Sequence, residues 1–316
     1  MISTLAYLLP FTPYPYRGER VACDLCGSTE VEVICEHDRR FKRLRTVACV
    51  GCGLMRTDPM PTAAEVAKYY EATYRWDYQF ASRTPSRRHL GRSRREAAHR
   101  LEHLAPALRP GARILDFGSG AGVFLGMAAA AGFAVQGIEP GRDYANYAHD
   151  TFGVEVISDV WEHIDQPLGP FDVITTVEVL EHLRRPVQAL RWLESLLADD
   201  GVIYVTVPNM APTKRETFRL FHFAHLHNFT PTTLLWAGEV SGLELDPRFT
   251  QRETRMVFRK AAAIVDPATI RSNHGAGLSA QYPDASIARY LFSGAWFAGR
   301  LRQLRKTMRD TFAPPG

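Results

Sequence analysis

The sequence predicts an α/β protein with a seven-stranded, mostly parallel sheet, helices on both of its faces, and a small cysteine-containing ribbon in front of it. From residue 111 onward, short apolar segments alternate with amphipathic segments, a pattern typical of a parallel sheet covered by helices. Near the N-terminus, two Cys-x-x-Cys pairs flank short β-prone segments, which indicates a separate ribbon. We therefore expect one large domain and one smaller one, for which 316 residues are sufficient.

Composition places the chain among globular proteins. Hydrophobic residues make up 46% and charged residues 23%, and the net charge of +4 excludes no partner by itself. No apolar run reaches the ~20 residues of a membrane span, and the segment 2–9 lacks the basic start and the cleavage site of a signal peptide. We expect a cytoplasmic protein divided into residues 1–57 (N-terminal segment and ribbon), 58–110 (helical linker or lid), 111–262 (main α/β domain) and 263–316 (helical extension).

The cysteines predict a structural metal site. Two pairs are separated by 22 residues, and a glycine follows each pair, so backbone amides can turn toward the thiolates. With strands at 31–34 and 45–48, the ribbon is too small to fold without a metal. Cys35 is expected to be a spare buried thiol, with a ligand role beside His37 as the alternative. The predicted ligands of one tetrahedral Zn²⁺ are Cys23, Cys26, Cys49 and Cys52.

A basic run and a tyrosine-rich segment follow. The five basic residues at 39–45 have only Phe41 among them as a stacking surface, so we predict a solvated hairpin and no nucleic-acid site. Thr62 and Glu65 have the spacing of a capping box that begins a helix. A second, arginine-rich helix over 86–104 has either a solvated face or a face for an anionic substrate. Core packing or a lid over the substrate is predicted for Tyr69, Tyr70, Tyr74 and Tyr78.

The elements of the main domain follow from periodicity and turn residues. Short β-branched apolar segments predict strands, and longer segments with apolar residues at helical spacing predict helices. The predicted strands span 112–117, 133–138, 154–157, 171–176, 202–207, 243–250 and 255–258, the last two as an antiparallel edge pair. Helices are predicted up to residue 131, over 141–151 and 186–198, and from 231 to the glycine at 242.

A glycine-rich loop follows the first of these strands. Val123 stands where a dinucleotide-binding loop has its third glycine, so a dinucleotide is disfavoured. Asp116, at the carboxyl end of the strand, would repel a pyrophosphate but suits a ligand with an ammonium and a sulfonium group. S-adenosylmethionine fits this description, and a turn that binds nothing is the alternative. The residues that let such a ligand approach the backbone are Gly118, Gly120 and Gly122.

The ends of the next strands predict further contacts to this ligand. Glu139 is placed to accept hydrogen bonds from both ribose hydroxyls, as it would in a dinucleotide-binding fold. Asp159 is predicted to take the adenine amino group and Val160 to donate its amide to the ring, with a surface-loop aspartate as the alternative. Glu178 and His182, which follow the fourth strand, would share one face if that segment is a helix.

Residues 221–230 are unusual in composition because they place three of the 11 histidines between aromatic residues. In an extended chain His225 and His227 point to the same side. Since a neutral histidine suits proton abstraction, we predict His225 as general base, with His227 and His182 as helpers that orient it or bind substrate. One alternative is that these histidines hydrogen-bond loop carbonyls. Another is that His182, His225 and His227, with Glu178, hold a divalent metal.

These motifs together resemble a known family. Residues 111–260 are similar to a class I S-adenosylmethionine-dependent methyltransferase with a Rossmann-like fold: residues 115–122 match its first motif and Glu139 its second. The ribbon resembles the group that includes deoxysugar C-methyltransferases and related bacterial enzymes of glycan and natural-product pathways. In those sugar enzymes a Glu-His pair after the fifth strand is catalytic. Here His225 matches the histidine, Ala224 replaces the glutamate, and the larger C-terminal domain has no counterpart in these residues.

The resemblance implies methyl transfer from S-adenosylmethionine to an oxygen or a carbon of a small-molecule or glycan acceptor. The alternative is a non-catalytic module whose ribbon binds a partner protein or nucleic acid. The acceptor and the oligomeric state stay open at this point. A predicted helix at 285–312 covers the sheet, oligomerises or contacts a membrane surface.

Overall fold

The computed structural model describes residues 5–70, 85, 87–213, 216–282, 287–292 and 294. The predicted lid residues Tyr74 and Tyr78, and most of the predicted C-terminal helix, lie outside these ranges. The strands are β1 (Val31–His37), β2 (Arg43–Cys49), β3 (Met55–Thr57), β4 (Arg113–Phe117), β5 (Ala134–Ile138), β6 (Val156–Ile157), β7 (Phe171–Val177), β8 (Leu197–Thr206), β9 (His227–Asn228), β10 (Leu243–Leu245) and β11 (Arg255–Lys260). The described α-helices are α1 (Leu5–Leu8), α2 (Ala63–Tyr69), α3 (Arg87–Leu104), α4 (Val123–Ala130), α5 (Arg142–Phe152), α6 (Pro186–Ser195), α7 (Pro231–Glu239) and α8 (Ile287–Phe292).

The larger sheet has seven strands in the order β10-β11-β8-β7-β4-β5-β6, which confirms the predicted α/β fold. The strands from β8 to β6 are parallel, and β11 and β10 are added antiparallel at one edge. From β4 the chain proceeds to β5 and β6 on one side and then returns to β7 on the other. The crevice between β4 and β7 is therefore the switch point at which such sheets bind ligands.

Helices cover both faces of this sheet because its central strands are apolar on both sides. On one face, Leu115 and Ile174 pack in a core shared with α6 and α7. On the other face, Ile114 and Val173 pack in a core shared with α3 and α4. Neighbouring residues of β4 thus enter different cores, as the two-residue period of a strand requires.

Two predicted boundaries were wrong. The helix expected to end at 198 ends at Ser195, and β8 already begins at Leu197, so residues 199–201, which separate the predicted helix from the predicted strand, lie within the strand. The reason is that Phe171 of β7 pairs with Leu197, which extends the ladder toward the helix. The edge strand expected over 243–250 has only three residues, because the Asp246 side chain accepts the Arg248 amide and turns the chain.

The smaller sheet joins the ribbon to the main domain. Its order is β1-β2-β3-β9, and β9 comes from the segment that carries the predicted catalytic histidines. Asp24, between two cysteines of the ribbon, accepts a hydrogen bond from the amide of Val187 at the start of α6, at 2.8 Å. The domain boundary at residue 57 remains a prediction. Two contacts join the parts on either side of it: the pairing of β3 with β9 and the hydrogen bond from the Val187 amide to Asp24.

The basic hairpin is less solvated than expected. Lys42 is fully buried, and its Nζ donates to the carbonyls of Ala6 and Leu9 and to the hydroxyl of Thr12. The interpretation of the whole run as solvated was therefore wrong at Lys42, whose ammonium binds the C-terminal carbonyls of α1. The capping box at Thr62 and Glu65 is confirmed. None of the helices in the described ranges has the length and hydropathy that crossing a bilayer requires.

Candidate active site

The glycine loop lies at the carboxyl end of β4, beside the switch point. Gly118 and Gly120 both have positive φ, of 79° and 50°. A methyl group at Gly118 would collide with Val179, so the protein itself requires glycine there. At Gly120 a methyl group would meet no described atom within 4 Å, so the backbone faces open space. Gly122 precedes α4 as its N-cap, so the loop leads directly into a helix N-terminus.

The end of β5 brings Glu139 to this loop. Its carboxylate accepts the amide of Gly120 at 3.0 Å and the amide of Gly141 at 2.8 Å. The acid that the sequence assigned to the ribose is thus next to the open face of Gly120. Asp159 is exposed; its carboxylate accepts the amide of Val160 at 2.8 Å, and that hydrogen bond is the main cause that lowers its pKa. Since this amide is engaged within the loop, the adenine contacts remain a prediction.

Asp116 is bound within the protein rather than presented to a ligand. Its Oδ1 accepts from the hydroxyl of Thr175 at 2.5 Å and from Arg100 at 3.1 Å. Burial raises the pKa of this carboxyl, and the Arg100 charge and the Thr175 hydrogen bond offset part of the shift. The Arg100 guanidinium balances this charge, and the preference of Asp116 for a cationic ligand remains a prediction.

A cluster of three ionisable side chains lies at the same sheet edge: Glu181, His182 and His225. Glu181 Oε1 is 3.8 Å from His182 Nε2 and 3.9 Å from His225 Nε2. The two imidazole rings are 5.1 Å apart, and the ring of His222 lies 3.6 Å from that of His225. The Nδ1–H of His182 donates to the carbonyl of Ala224 at 2.8 Å. The structure thus brings His182 and His225 together, as predicted.

Two predicted residues are not in this cluster. His227 donates from Nδ1 to the carbonyl of Leu183 at 2.9 Å, which is the alternative that the sequence left open for a histidine. The chain turns before it, since the amide of His225 bonds the carbonyl of His222, so His225 and His227 do not project from one extended segment. Glu178 is exposed with a φ of 55°, because a single 3-10 turn over 180–182 replaces the expected helix.

Sequence reasoning missed Glu181 and His222. The helical i,i+4 rule selected Glu178 as the partner of His182, whereas in the observed turn the adjacent residue Glu181 faces inward. His222 stands three residues before His225, a spacing that indicates a turn rather than an extended chain. Burial lowers the pKa of His182 to about 4 and lowers the pKa values of His222 and His225 well below 6.5. The imidazoles of the cluster are therefore neutral near pH 7.

Aromatic side chains pack around Phe223, which lies between His222 and His225 in the sequence. The ring of Phe223 contacts Tyr14, Tyr16 and Tyr69 at 4.5, 5.2 and 4.9 Å between centroids. Tyr69 is 1% exposed, so core packing, the first of the two alternatives, holds for it. Tyr70 differs because its ring lies 6.3 Å from His182, at the edge of the cluster.

The four paired cysteines converge at the other end of the ribbon. They are buried and unbridged, and Cys23–Cys52 and Cys26–Cys49 have sulfurs 3.5 Å apart. A tetrahedral Zn²⁺ with bonds of about 2.3 Å separates its sulfur ligands by about 3.8 Å, whereas a disulfide needs about 2.05 Å. The donor set therefore fits a closed zinc site. Cys35 lies outside it and bonds the carbonyl of His37.

Three features lie at the carboxyl end of the sheet: the glycine loop, Glu139 and the histidine cluster. Together they are typical of an α/β domain that binds a cofactor at its switch point. The chain belongs to the methyltransferase-domain family, whose sequence profile matches residues 88–247. The ubiquinone biosynthesis O-methyltransferase of Xanthomonas axonopodis pv. citri is 32% identical over 120 residues, 36% of this chain and 50% of that one. The C-methyltransferase NovU of Streptomyces niveus is 29% identical over 144 residues, 44% of this chain and 34% of that protein.

The chain spans about half the length of the first of these curated relatives and a third of the second. Among solved structures, the CcbJ methyltransferase of Streptomyces caelestis aligns with 62% of this chain and 96% of its own, at 18% identity and a TM-score of 0.44.

The burial of His227 predicts a pH-dependent stability. Burial lowers the pKa of His227 to about 4, whereas the unfolded imidazole titrates near 6.5. Between pH 7 and pH 5 the unfolded state takes up a proton that the folded state does not, so the free energy of unfolding falls by about 2 kcal/mol from this group. His227→Asn keeps the donor to Leu183 without the charge. We expect urea unfolding to show that the free energy of unfolding falls by about 2 kcal/mol less between pH 7 and pH 5 in the variant than in the wild type. An equal fall in both proteins would contradict the assignment.

Proposed function

We propose that the protein is an S-adenosylmethionine-dependent methyltransferase that acts on an oxygen or a carbon of a small-molecule or glycan acceptor. The observation that carries the proposal is the placement of the histidine cluster at the same sheet edge as the glycine loop. A cofactor cradle and a set of neutral bases on neighbouring strand ends are what methyl transfer to an acidic O–H or C–H group requires.

The cradle residues fit the cofactor. The open space at Gly120 leaves room for a ligand against the backbone, and the carboxylate of Glu139 borders that space. A ribose diol there would bond Glu139. Asp159 and Val160 are assigned to the adenine, Gly118 and Gly122 shape the loop, and Glu178 is exposed at the adjoining end of β7. Asp116 contributes by holding Arg100 and Thr175 under the loop.

The chemistry assigned to the chain is positioning and proton abstraction. S-adenosylmethionine supplies, when bound, a methyl group already activated by a sulfonium. The protein must orient the acceptor and remove its proton, and orientation alone is worth up to roughly 7–11 kcal/mol in favourable cases. His225 is the proposed base, because it is neutral near pH 7 and belongs to the cluster. His182 is held by Ala224 and orients His225 or the acceptor. His227, which bonds the carbonyl of Leu183 from strand β9, is assigned a supporting role.

The acceptor class rests on two supports. The named relatives are an O-methyltransferase of ubiquinone biosynthesis and a C-methyltransferase, and both names suit an acidic hydroxyl or carbon as the acceptor. The half-buried ring of Tyr70 lies 6.3 Å from that of His182 and offers apolar surface beside the histidines. The burial of Lys42 removes a cation from the basic hairpin, which argues against nucleic acid as partner.

For the four-cysteine site we propose one structural Zn²⁺ held by Cys23, Cys26, Cys49 and Cys52.

Replacing Glu139 tests the cofactor assignment. We expect Glu139→Ala to weaken S-adenosylmethionine binding by roughly tenfold or more in calorimetry, because a hydrogen bond to a charged carboxylate is lost. Glu155→Ala, in the loop before β6, is the control and should bind as the wild type does. Unchanged affinity in Glu139→Ala would remove the ribose assignment.

Turnover is tested by transfer of tritiated methyl groups to ubiquinone precursors and to deoxysugar acceptors. Glu139→Ala should transfer less than the wild type at subsaturating cofactor concentrations. Absence of cofactor binding by the wild type would overturn the proposed function itself.

A further inference from the structure

Glu181 is a buried carboxyl whose pKa is raised by burial and lowered in part by a hydrogen bond from its own backbone amide. Its side chain is 2% exposed, and neither carboxyl oxygen hydrogen-bonds another residue in the described ranges. A buried carboxyl in this state costs stability, whether it is charged or neutral. The Nε2 atoms of His182 and His225 lie 3.8 and 3.9 Å from its Oε1. The Glu181 carboxyl therefore lies close enough to both imidazoles to stabilise a positive charge that forms on either of them.

We propose that Glu181 and His225 act as one base, in which Glu181 is the positioning residue that stabilises the proton His225 takes from the acceptor. This inference rests on the proposed function. In the step, the O–H or C–H bond of the acceptor breaks and an N–H bond forms at His225. The bonding electron pair stays on the acceptor as the nucleophile. The positive imidazolium then lies beside the Glu181 carboxylate, or passes its second N–H proton to it.

The hydrogen bonds select His225 over His182 as the partner. His182 donates its Nδ1 proton to the carbonyl of Ala224, so its Nε2 presents a lone pair to Glu181 and has no proton to give. His225 has no such fixed tautomer. Its Nδ1 is buried without a hydrogen-bond partner in the described part of the chain, while its Nε2 faces Glu181. His225 can therefore direct an Nε2–H at the Glu181 carboxylate, as in a carboxylate–histidine pair.

The electrostatics explain why a lone histidine would be inadequate here. Burial lowers the pKa of His225 well below 6.5, and the charges of His182 and Arg39 lower it further. Burial raises the pKa of Glu181 well above its usual range, and Glu178 adds to that shift. Two such neighbouring groups titrate as a pair, so a proton that His225 receives is shared with a deprotonated Glu181. Glu181 therefore restores the basicity that burial removes from His225.

The other ionisable groups near the pair do not take this role. His182 and Arg39 disfavour an imidazolium at His225, and both of them, with Arg40, also disfavour one at His222. Glu178 is an acid, but its side chain is exposed and acts on Glu181 only through its charge. Within the described ranges, Glu181 is the carboxyl that lies against a ring nitrogen of His225.

The primary test is a titration that needs no acceptor. Wild type and Glu181→Gln, labelled with ¹³C at histidine Cε1, are followed by NMR from pH 4 to pH 9, and His225→Asn assigns the signal. We expect the His225 signal of the wild type to respond at a pH at least one unit higher than in Glu181→Gln. Glu102→Gln, whose side chain is 83% exposed on α3, is the control and should titrate as the wild type does. Identical His225 curves in wild type and Glu181→Gln would overturn the inference.

Thermal unfolding separates this role from a structural one. Glu181→Met removes the buried carboxyl while keeping similar volume, so its Tm should equal or exceed that of the wild type. A residue whose purpose is structural would lower Tm when replaced, and a clear loss of Tm in this variant would count against the inference. The variant also keeps the test open if Glu181→Gln folds poorly.

Measurements of turnover and of metal binding complete the test. With an acceptor that the wild type methylates, Glu181→Gln should reduce kcat at least tenfold while leaving S-adenosylmethionine affinity unchanged. Adding it to His225→Ala should then change kcat little, because the two residues act as a unit. Unaltered kcat in Glu181→Gln would sink the Glu181 role alone, whereas a wild type that binds no cofactor would sink the proposed function. Mn²⁺ binding, seen by electron paramagnetic resonance and lost in Glu181→Gln, would identify a metal ligand and overturn the proton-sharing role.

Discussion

His225→Ala is expected to reduce kcat by about 10²–10⁴-fold while leaving the affinity for S-adenosylmethionine unchanged, because the proposed base is removed and the cradle is not. The cradle residues Gly120 and Glu139 contact each other and make no hydrogen bond to His225. The measurement is steady-state transfer of a tritiated methyl group at saturating cofactor, with calorimetry for the affinity.

An exposed histidine serves as the matched control. His149 lies on α5 with a side chain 73% exposed, so His149→Ala should keep wild-type turnover. His227→Asn should also keep most of it, since Asn can still donate to Leu183. Full activity in His225→Ala would transfer the base role to another residue. Equal losses in His225→Ala and His227→Asn would show that the segment acts through its backbone.

Disruption of the proposed zinc site is expected to have the largest effect on stability. Cys52→Ser, or chelation of zinc from the wild type, should lower the free energy of unfolding by about 4 kcal/mol or more, because loss of a metal leaves buried thiols in place of a cross-link. Turnover should fall as well. The ribbon strand β3 pairs with β9 through Arg56 and His227, two residues after His225. Denaturant unfolding, metal analysis and the transfer assay measure the three quantities.

Cys35→Ser is the control for this experiment, because its thiol is outside the four-sulfur cluster. It should retain about one equivalent of zinc and wild-type stability. A folded wild type that contains no metal, with the same unfolding curve before and after chelation, would refute the zinc site. Loss of stability without loss of turnover would refute only the connection through β9.

The fold was predictable because local pattern and global order agree in its central strands. In β4 the apolar residues Ile114 and Leu115 enter different cores, and such continuous apolar strands are typical of a sheet covered on both faces. The errors lie where a tertiary partner overrides local propensity. Asp199 and Asp200 suggest a turn, yet they lie in β8, which pairs with β7 from Leu197 onward.

The site was less predictable because its residues come from separate loops. The glycine loop and Glu139 follow a motif of fixed spacing, and the structure places them in contact. The base region follows no such spacing. The resemblance to the sugar enzymes expects a carboxylate at position 224, where this chain has alanine, while Glu181 reaches His225 from a turn 44 residues earlier. Only the three-dimensional path of the chain reveals that contact.

The hydrogen bond from the Val187 amide to Asp24 has a consequence for how such a protein can be rearranged by recombination. A ribbon joined to its neighbour by a linker alone could be exchanged between genes as a cassette. Here the ribbon completes a helix of the main domain and borrows β9 from it to finish its own sheet. If either part were transferred alone, the backbone groups that now bond across the Val187–Asp24 contact and the β3–β9 pair would lose their partners. We therefore expect the two parts to be inherited together.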